Sequence, residues 1–411
     1  MNSMTSNSEY RSGWTTVPLS SVCDVRDGTH ESPKYHLRGV PLVTSKYMRD
    51  GKIYPHEAPL ISPQDARRIN SRSKVDRGDV LLSMIGTVGN AVLVSDVPDY
   101  CIKNMALLKP QNILPEFLIH FVNGPIFQRR VEDGSSGGIQ SFISLGKLRS
   151  TLIDLPSLDE QRSIAAMLND AERFIEDQKQ LIAKKQAIKT GMMQQLLTGK
   201  TRLHGYSEPW ATVRLGSLGT FHKGKGIKRD DVVTSGVPCI RYGQIYTEYE
   251  NYVFTTKSFV SNETAATAFL LRTGDLLFAG SGETRDEIGK CVAYVGELSA
   301  VAGGDIVVLR GKSFNPVFCG LLLNTPSVAI QKSRSGQGDA VVHISSRALE
   351  QIEITIPCFE EQSAIAEIFI DMDQEISVLK SRLEKAKAIK QGMMQELLTG
   401  KTRLVGEGVA S

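Results

Sequence analysis

No stretch of the 411-residue sequence approaches the run of about 18 apolar residues that a membrane-crossing helix needs. Met1 to Trp14 lacks the apolar centre of a secretory signal, so residues 1–12 are expected to be a disordered lead-in. No CxxC pair occurs: Cys23, Cys101, Cys239, Cys291, Cys319 and Cys358 are scattered. That excludes a disulfide or zinc framework and predicts reduced, mostly buried thiols in a cytoplasmic protein. None of the seven histidines falls in HExxH or beside cysteine at zinc spacing, and no GxSxG elbow is present. No methylation or nuclease signature is recognisable either. Gly199-Lys200-Thr201 and Gly400-Lys401-Thr402 imitate the end of a phosphate loop, but Gln194 and Gln395 stand where it needs glycine. Both triplets read instead as helix ends. Strong charge of one sign is also missing. A net charge of +3 neither demands nor forbids a nucleic acid, so any such partner must be argued from where the charge lies.

What the sequence does have is a repeat. Residues 187–203 read AIKTGMMQQLLTGKTRL and residues 388–404 read AIKQGMMQELLTGKTRL, an offset of 388 − 187 = 201 with two of 17 positions different. At the same offset Leu155-Pro156, Glu160-Gln161, Ile164-Ala165 and Ile143-Ser144 match Ile356-Pro357, Glu361-Gln362, Ile365-Ala366 and Ile344-Ser345. Further upstream the match continues at a slightly smaller offset, in Gly78-Asp79 with Gly274-Asp275, Gly39-Val40-Pro41 with Gly236-Val237-Pro238, and Trp14 with Trp210. The chain is two tandem halves whose first parts have diverged and whose last parts have not.

The segments 14–156 and 210–357 carry short apolar runs bounded by turn residues. Strands are expected at Val80–Leu82, Ala91–Val94, Leu276–Phe278 and Ile306–Leu309, with helices over 115–131 and 315–332. The segments 158–198 and 359–399 contain no proline and predict long helices. The seam Ile365, Phe369, Met372, Ile376, Leu379, Leu383, Ala386, Lys390, Met393, Leu397 fits a heptad. So does its counterpart Ile164, Leu168, Ala171, Ile175, Gln178, Ile182, Lys185, Lys189, Met192, Leu196. Ser157 followed by Glu160 predicts a capping box at the first helix; Cys358 is a weaker cap. Gly191 and Gly392 cost helix stability and could mark a bend or a close helix approach.

Charge sets the helix orientation. Residues 159–177 hold six acids and two bases, and 178–203 six bases and no acid; 360–377 hold six acids, and 378–404 seven bases and two acids. Only antiparallel packing sets acid against base along the whole length. The expected architecture is therefore α+β: two tandem, pseudo-two-fold-related domains separated by two long antiparallel coiled-coil helices. The boundaries are 13–157 for the first domain, 158–203 for the first helix, 204–357 for the second domain, 358–404 for the second helix, and a tail at 405–411. Symmetric readers engage DNA half-sites about a helical turn apart, and divergence of the domains alone would give two different half-sites.

These residues resemble the specificity subunits of type I restriction–modification enzymes. The resemblance covers Trp14 to Leu404. Its most specific stretches are Leu155-Pro-Ser-Leu-Asp-Glu-Gln161 and Ile356-Pro-Cys-Phe-Glu-Glu-Gln362, each opening a helix that closes with Leu-Leu-Thr-Gly-Lys. Asp27-Gly-Thr-His30, Ser32-Pro33, Arg77-Gly-Asp79 and Thr273-Gly-Asp275 also look like that family's target-recognition domains. The resemblance implies a non-catalytic subunit that binds a bipartite, gapped double-stranded DNA target, with the helices as a ruler. It also implies two methyltransferase subunits bringing S-adenosylmethionine, and restriction subunits bringing ATP and Mg²⁺. No cofactor is expected on this chain. A specificity subunit of a related multi-subunit methyltransferase, a self-sufficient enzyme with a divergent site, and a coiled-coil scaffold without a DNA role are the alternatives.

Candidate DNA contacts are cationic, amide and aromatic residues in the diverged parts, because arginine and lysine reach phosphates or guanine O6 and N7, and glutamine pairs with adenine. In the first domain these are Thr29, His30, Lys34, Tyr35, Lys46, Tyr47, Arg67 and Arg68. In the second they are the basic loop Lys223, Lys225, Lys228 and Arg229, then Arg241, Tyr242, Gln244, Arg285 and Lys290. The turns Gly86-Thr87-Val88-Gly89 and Ser281-Gly282-Glu283 are candidates for close backbone approach. Phe174, Leu181, Ile188 and Leu197 lie beside the seam and cannot all be buried by one partner helix, so they are candidates for docking another protein.

Overall fold

Short apolar runs bounded by glycine and aspartate become the central strands of two sheets. A computed structural model gives the fold and describes residues 13–85, 89–132, 143–338 and 341–404. The lead-in at 1–12, the tail at 405–411 and residues 86–88 of the first glycine turn lie outside the described residues. The chain forms two compact units, Met1–Lys179 with Ser381–Ser411, and Gln180–Lys380.

In the first unit β1 (Cys23–Asp27), β2 (Val80–Ser83), β3 (Ala91–Leu93) and β4 (Met105–Pro110) make an antiparallel sheet in the order β1-β4-β2-β3. In the second unit β5 (Gly219–Lys223), β6 (Tyr252–Val253), β7 (Leu276–Ala279), β8 (Cys291–Tyr294) and β9 (Ile306–Gly311) run in the order β5-β9-β7-β8-β6. All four expected strands are present. Gly78 and Gly274 hold φ values of 91° and 98°, which favour glycine, and the aspartate after each is buried. Asp79 accepts the Asp76 N–H and the Lys109 ammonium; Asp275 accepts the Arg272 N–H and the Arg310 guanidinium. The Gly-Asp strand starts are thus paired, buried fixtures of the sheets.

A second small sheet lies in each unit, built around Val40–Val43 in one and Val237–Ile240 in the other. The helices expected over 115–131 and 315–332 are each broken in two. Pro115–Val122 is followed by Pro125–Glu132, and Pro316–Leu322 by Pro326–Ser335. Pro125 and Pro326 lack the N–H that continuation requires but suit the first turn of a new helix.

The long helices run uninterrupted over Leu158–Leu196 and Phe359–Leu397. Ser157 caps the first, its Oγ accepting the Glu160 N–H at 3.3 Å. The second half of the expected capping box does not form, because the Glu160 carboxylate is engaged elsewhere. It accepts Arg403 Nε at 2.6 Å and the Trp14 indole N–H at 3.0 Å. Glu361 likewise accepts Arg202 Nε at 2.7 Å and Nη2 at 2.6 Å. The adjacent glutamines bind the domains: Gln161 accepts the Leu114 N–H and donates to the Pro156 carbonyl, as Gln362 does with Asn315 and Pro357.

Within the first unit the start of the first helix lies beside the end of the second, with Glu172 paired to Lys390 at 3.1 Å. Within the second unit Lys185 pairs with Glu375 at 2.7 Å and Lys189 with Asp373. In every pair one residue number rises as the other falls, so each unit packs its helix segments antiparallel. Leu397 and Leu398 join the core of the first unit with Phe117 and Phe121, and Leu196 and Leu197 that of the second with Phe318 and Leu321. Gly199 and Gly400, at φ 67° and 71°, end the helices, and Trp210 and Trp14 lie 3.4 Å from where their Cβ atoms would be. At Gly191 and Gly392 an added Cβ would meet nothing within 4 Å, so neither marks a close helix approach.

Candidate nucleic-acid interface

The first unit builds its polar surface where β1 ends. Gly28 lies against the backbone of Ile102, where a Cβ would come within 2.5 Å of the carbonyl oxygen. That approach pairs Thr29 with Lys103 and brings His30 onto Asn104. The His30 Nε2 stands 2.8 Å from the Asp27 carboxylate and Nδ1 2.9 Å from the Asn104 Oδ1. Acceptors at both ring nitrogens favour the imidazolium. Asp27 raises the His30 pKa most, Asn104 adds to it, and Arg72, bound to the same buried carboxylate, opposes it. The ring nonetheless remains largely open to solvent. Thr29, His30, Glu31, Arg68 and Arg72 border a cleft of about 340 Å³.

Thr29, His30 and Arg68 thus come together. Arg67 is exposed beside Arg68 on the helix Pro63–Ser73, and Arg68 pairs with Glu31 at 2.8 Å. Lys34 and Tyr35 are exposed just downstream. Lys46 and Tyr47 lie apart from the cleft, on the turn Ser45–Tyr47, where Tyr47 packs partly into a core cluster. Arg72 and Asn104 were not among the sequence candidates. Asn104 carries a signal only in retrospect: it sits at φ 54°, which asparagine tolerates better than most residues.

In the second unit Lys223, Lys225, Lys228 and Arg229 are all exposed, and none has an ion-pair partner among the described residues. The Gly224 N–H donates to Ile306 O and the Lys225 N–H to Ala302 O, fixing the loop's origin. Lys223, His222, Ser281, Asp305, His343 and Ser345 border a cleft of about 470 Å³. Across it the Ser281 hydroxyl and His343 Nδ1 are 2.9 Å apart. Of the expected second turn, then, Ser281 faces this cleft.

Two candidates are corrected by their surroundings. Gln244 is buried, accepting the Arg241 N–H and donating to the Ser258 hydroxyl, so its amide is not free to read a base. Lys290 is half-buried and donates to the carbonyls of Tyr249 and Tyr246; burial lowers its pKa. It braces the domain from within. Arg285 is exposed and donates to Gly338 O, bridging two loops. Arg241 is half-buried, its Nε without a hydrogen-bond partner among the described residues, and Tyr242 beside it is exposed.

On the first long helix Phe174, Leu181 and Ile188 are exposed, but Leu197 is 1% exposed and belongs to the second unit's core. The helix end tucks under Phe318, which removes Leu197 from any docking stripe. Met167, missed in the sequence, is exposed and completes a stripe at seven-residue spacing: 167, 174, 181, 188. The six thiols are free, and burial raises the pKa of Cys23 to about 12 and of Cys101 to about 11. Among the described residues no cluster of three or more histidine, cysteine or acidic side chains could hold a metal, and no helix is long and apolar enough to cross a membrane.

The profile of the type I restriction modification DNA specificity domain matches residues 11–185 and again 207–388. The type I restriction enzyme MjaVIII specificity subunit of Methanocaldococcus jannaschii is 23% identical over 385 residues, covering 89% of this chain and 86% of that protein. The putative type I restriction enzyme MjaX specificity subunit of the same organism is 24% identical, covering 96% and 95%. Among solved structures, the type I restriction-modification S subunit from M. genitalium superposes with a TM-score of 0.59 at 15% identity, covering 97% of this chain and 98% of that one. At that identity the likeness speaks for the fold alone.

Proposed function

This chain belongs to the type I restriction–modification DNA specificity family, and from that premise we propose that it directs a multi-subunit methyltransferase to a bipartite, gapped DNA sequence without catalysing a reaction itself. The observation that carries the proposal is the doubling. Two copies of one specificity domain bear different polar surfaces, while the helices that follow them are nearly identical.

Each domain reads one half-site through the surface described above. In the first, His30, Thr29 and the arginines beside them supply charge and hydrogen-bond donors. In the second, Lys225, Lys228 and Arg229, which have no ion-pair partner among the described residues, supply phosphate contacts, and the neighbouring cleft supplies polar groups. The long helices set the gap. The exposed stripe Met167, Phe174, Leu181 and Ile188 docks methyltransferase subunits, two per chain, which carry S-adenosylmethionine. Restriction subunits joining the same assembly bring ATP and Mg²⁺. The assembly acts in the cytoplasm, where the DNA is.

The test is expression of the chain with a candidate type I methyltransferase subunit, in cells lacking other modification systems, followed by methylation-sensitive long-read sequencing. Methylated adenines at one gapped motif, absent when this chain is omitted, are the expected result. Methylation indifferent to the chain's omission would sink the proposal.

A further inference from the structure

The two halves form an internal comparison, because strand register fixes which positions correspond. Asp27 on β1 pairs with Ala106 on β4, and Lys223 on β5 with Val307 on β9. Ser83 on β2 pairs with Met105, and Ala279 on β7 with Ile306. Asn104 and Asp305, the residues before those strands, both hold positive φ, 54° and 59°. Downstream, the Ile143 N–H donates to Met84 O and the Ile344 N–H to Gly280 O, so these two isoleucines are held the same way.

Where these positions serve the fold, the residues are the same: Gly28 and Gly224, Asp79 and Asp275, Ile143-Ser144 and Ile344-Ser345. Around the end of β1 and β5 they change in chemical kind. Asp27 becomes Lys223, Ile85 becomes Ser281, and Asn104 becomes Asp305. In the second unit all three replacements border the single cleft that also holds His343. A backbone kept constant beneath side chains that change from acid to base and from apolar to hydroxyl is what a variable reading surface requires.

We infer that this cleft is the base-reading site of the second domain, with Lys223 and the Ser281–His343 pair contacting the acceptor edge of a guanine. The inference rests on the DNA-reading function proposed above and deepens it. The Lys223 ammonium is exposed and has no ion-pair partner among the described residues, and it stands at the cleft's rim ahead of the basic loop. A donor reaching into the major groove meets two acceptors, O6 and N7, only on guanine. The hydrogen bond between Ser281 and His343 fixes the imidazole, leaving Nε2 for the ligand. Asp305 is the acceptor on the same rim, suited to the N4 amino donor of the cytosine paired with that guanine.

The experiment is methylation mapping with the full chain and its methyltransferase, comparing wild type with K223A and H343A, and reading the host genome as the pool of sites. Both variants are expected to relax one G·C position in one half of the motif, raising methylation at the substituted base about tenfold or more relative to wild type, while the other half stays strict. S281A should relax the same position. If the variants instead lower methylation evenly at all sites with the motif unchanged, the residues are phosphate contacts or bystanders and the inference falls, although the proposed function stands. If the wild type shows no gapped motif, the proposed function fails first. Both side chains are exposed, and the melting temperature of each purified variant shows whether its fold is kept.

Discussion

Two histidines of the first unit respond to acid in opposite directions. His30 has a raised pKa because Asp27 and Asn104 accept from its ring, so its folded value lies above the ordinary 6.5. Its contribution to stability is full below pH 6.5 and fades as pH rises through the folded value. If the imidazolium also faces DNA, affinity should weaken over the same rise. We expect the salt slope of DNA binding to fall by about one between pH 6 and pH 8, and H30A to abolish that difference. An H30A variant with the pH dependence of the wild type would exclude His30 from the interface. His120 behaves the other way. It is buried against Asn169, and burial lowers its pKa, with Glu172 and Lys390 also acting on it. Here stability is present above pH 6.5 and is lost as pH falls through 6.5 toward the lowered value. Leucine stands at the corresponding place in the second half, Leu321, so H120L should flatten the fall in melting temperature between pH 7 and pH 5. An unchanged acid limb would point to another group.

At the scale of the helix, the repeated Glu-Gln and Thr-Gly-Lys-Thr-Arg stretches are two sides of one lock. Arg403 closes on Glu160, and Arg202 on Glu361, each carboxylate buried. Removing one arginine strands a buried charge, at a cost of about 3 kcal/mol. The two locks are not equal, however. Glu160 keeps the Trp14 N–H as a donor, whereas the corresponding Trp210 Nε1 has no partner among the described residues. R202A should therefore destabilise the protein more than R403A in denaturant titrations; the reverse order would mean that Trp14 contributes nothing. Gly191 and Gly392 face open space within regular helix, so G191A and G392A should each stabilise by up to about 1 kcal/mol. Unchanged or lowered midpoints would show that these glycines serve a contact beyond this chain. The helices, their seams and their direction were readable from the sequence because heptad spacing and charge gradients are properties of a segment alone. The Glu–Arg lock was not, since its partners lie 243 and 159 residues apart and a capping box explained the glutamate locally. The same limit held in the domains. Charge marked the 223–229 loop, but only three-dimensional contacts revealed that Gln244 and Lys290 are consumed internally, and that Asn104 and Arg72 stand beside His30.

For the whole molecule the proposed ruler has a phase as well as a length. The division into compact units falls within both long helices, at 179–180 and at 380–381. Equal insertions there preserve the seam only in multiples of seven residues. One heptad adds about 10 Å and returns each helix to nearly the same face. Ten ångströms of DNA is about three base pairs, which turns the duplex by roughly a third of its 10–10.5 base-pair repeat. A single added heptad should therefore carry the second half-site out of phase and collapse methylation. Three heptads add about 31 Å, close to the 34 Å of one DNA turn, and again keep the helix faces. The three-heptad protein should regain methylation at a motif with both halves unchanged and a gap longer by about nine or ten base pairs. Methylation mapping of the two insertion proteins decides the matter. If the one-heptad protein works as well as the wild type at its original gap, the helices are a tether and the spacing is set elsewhere.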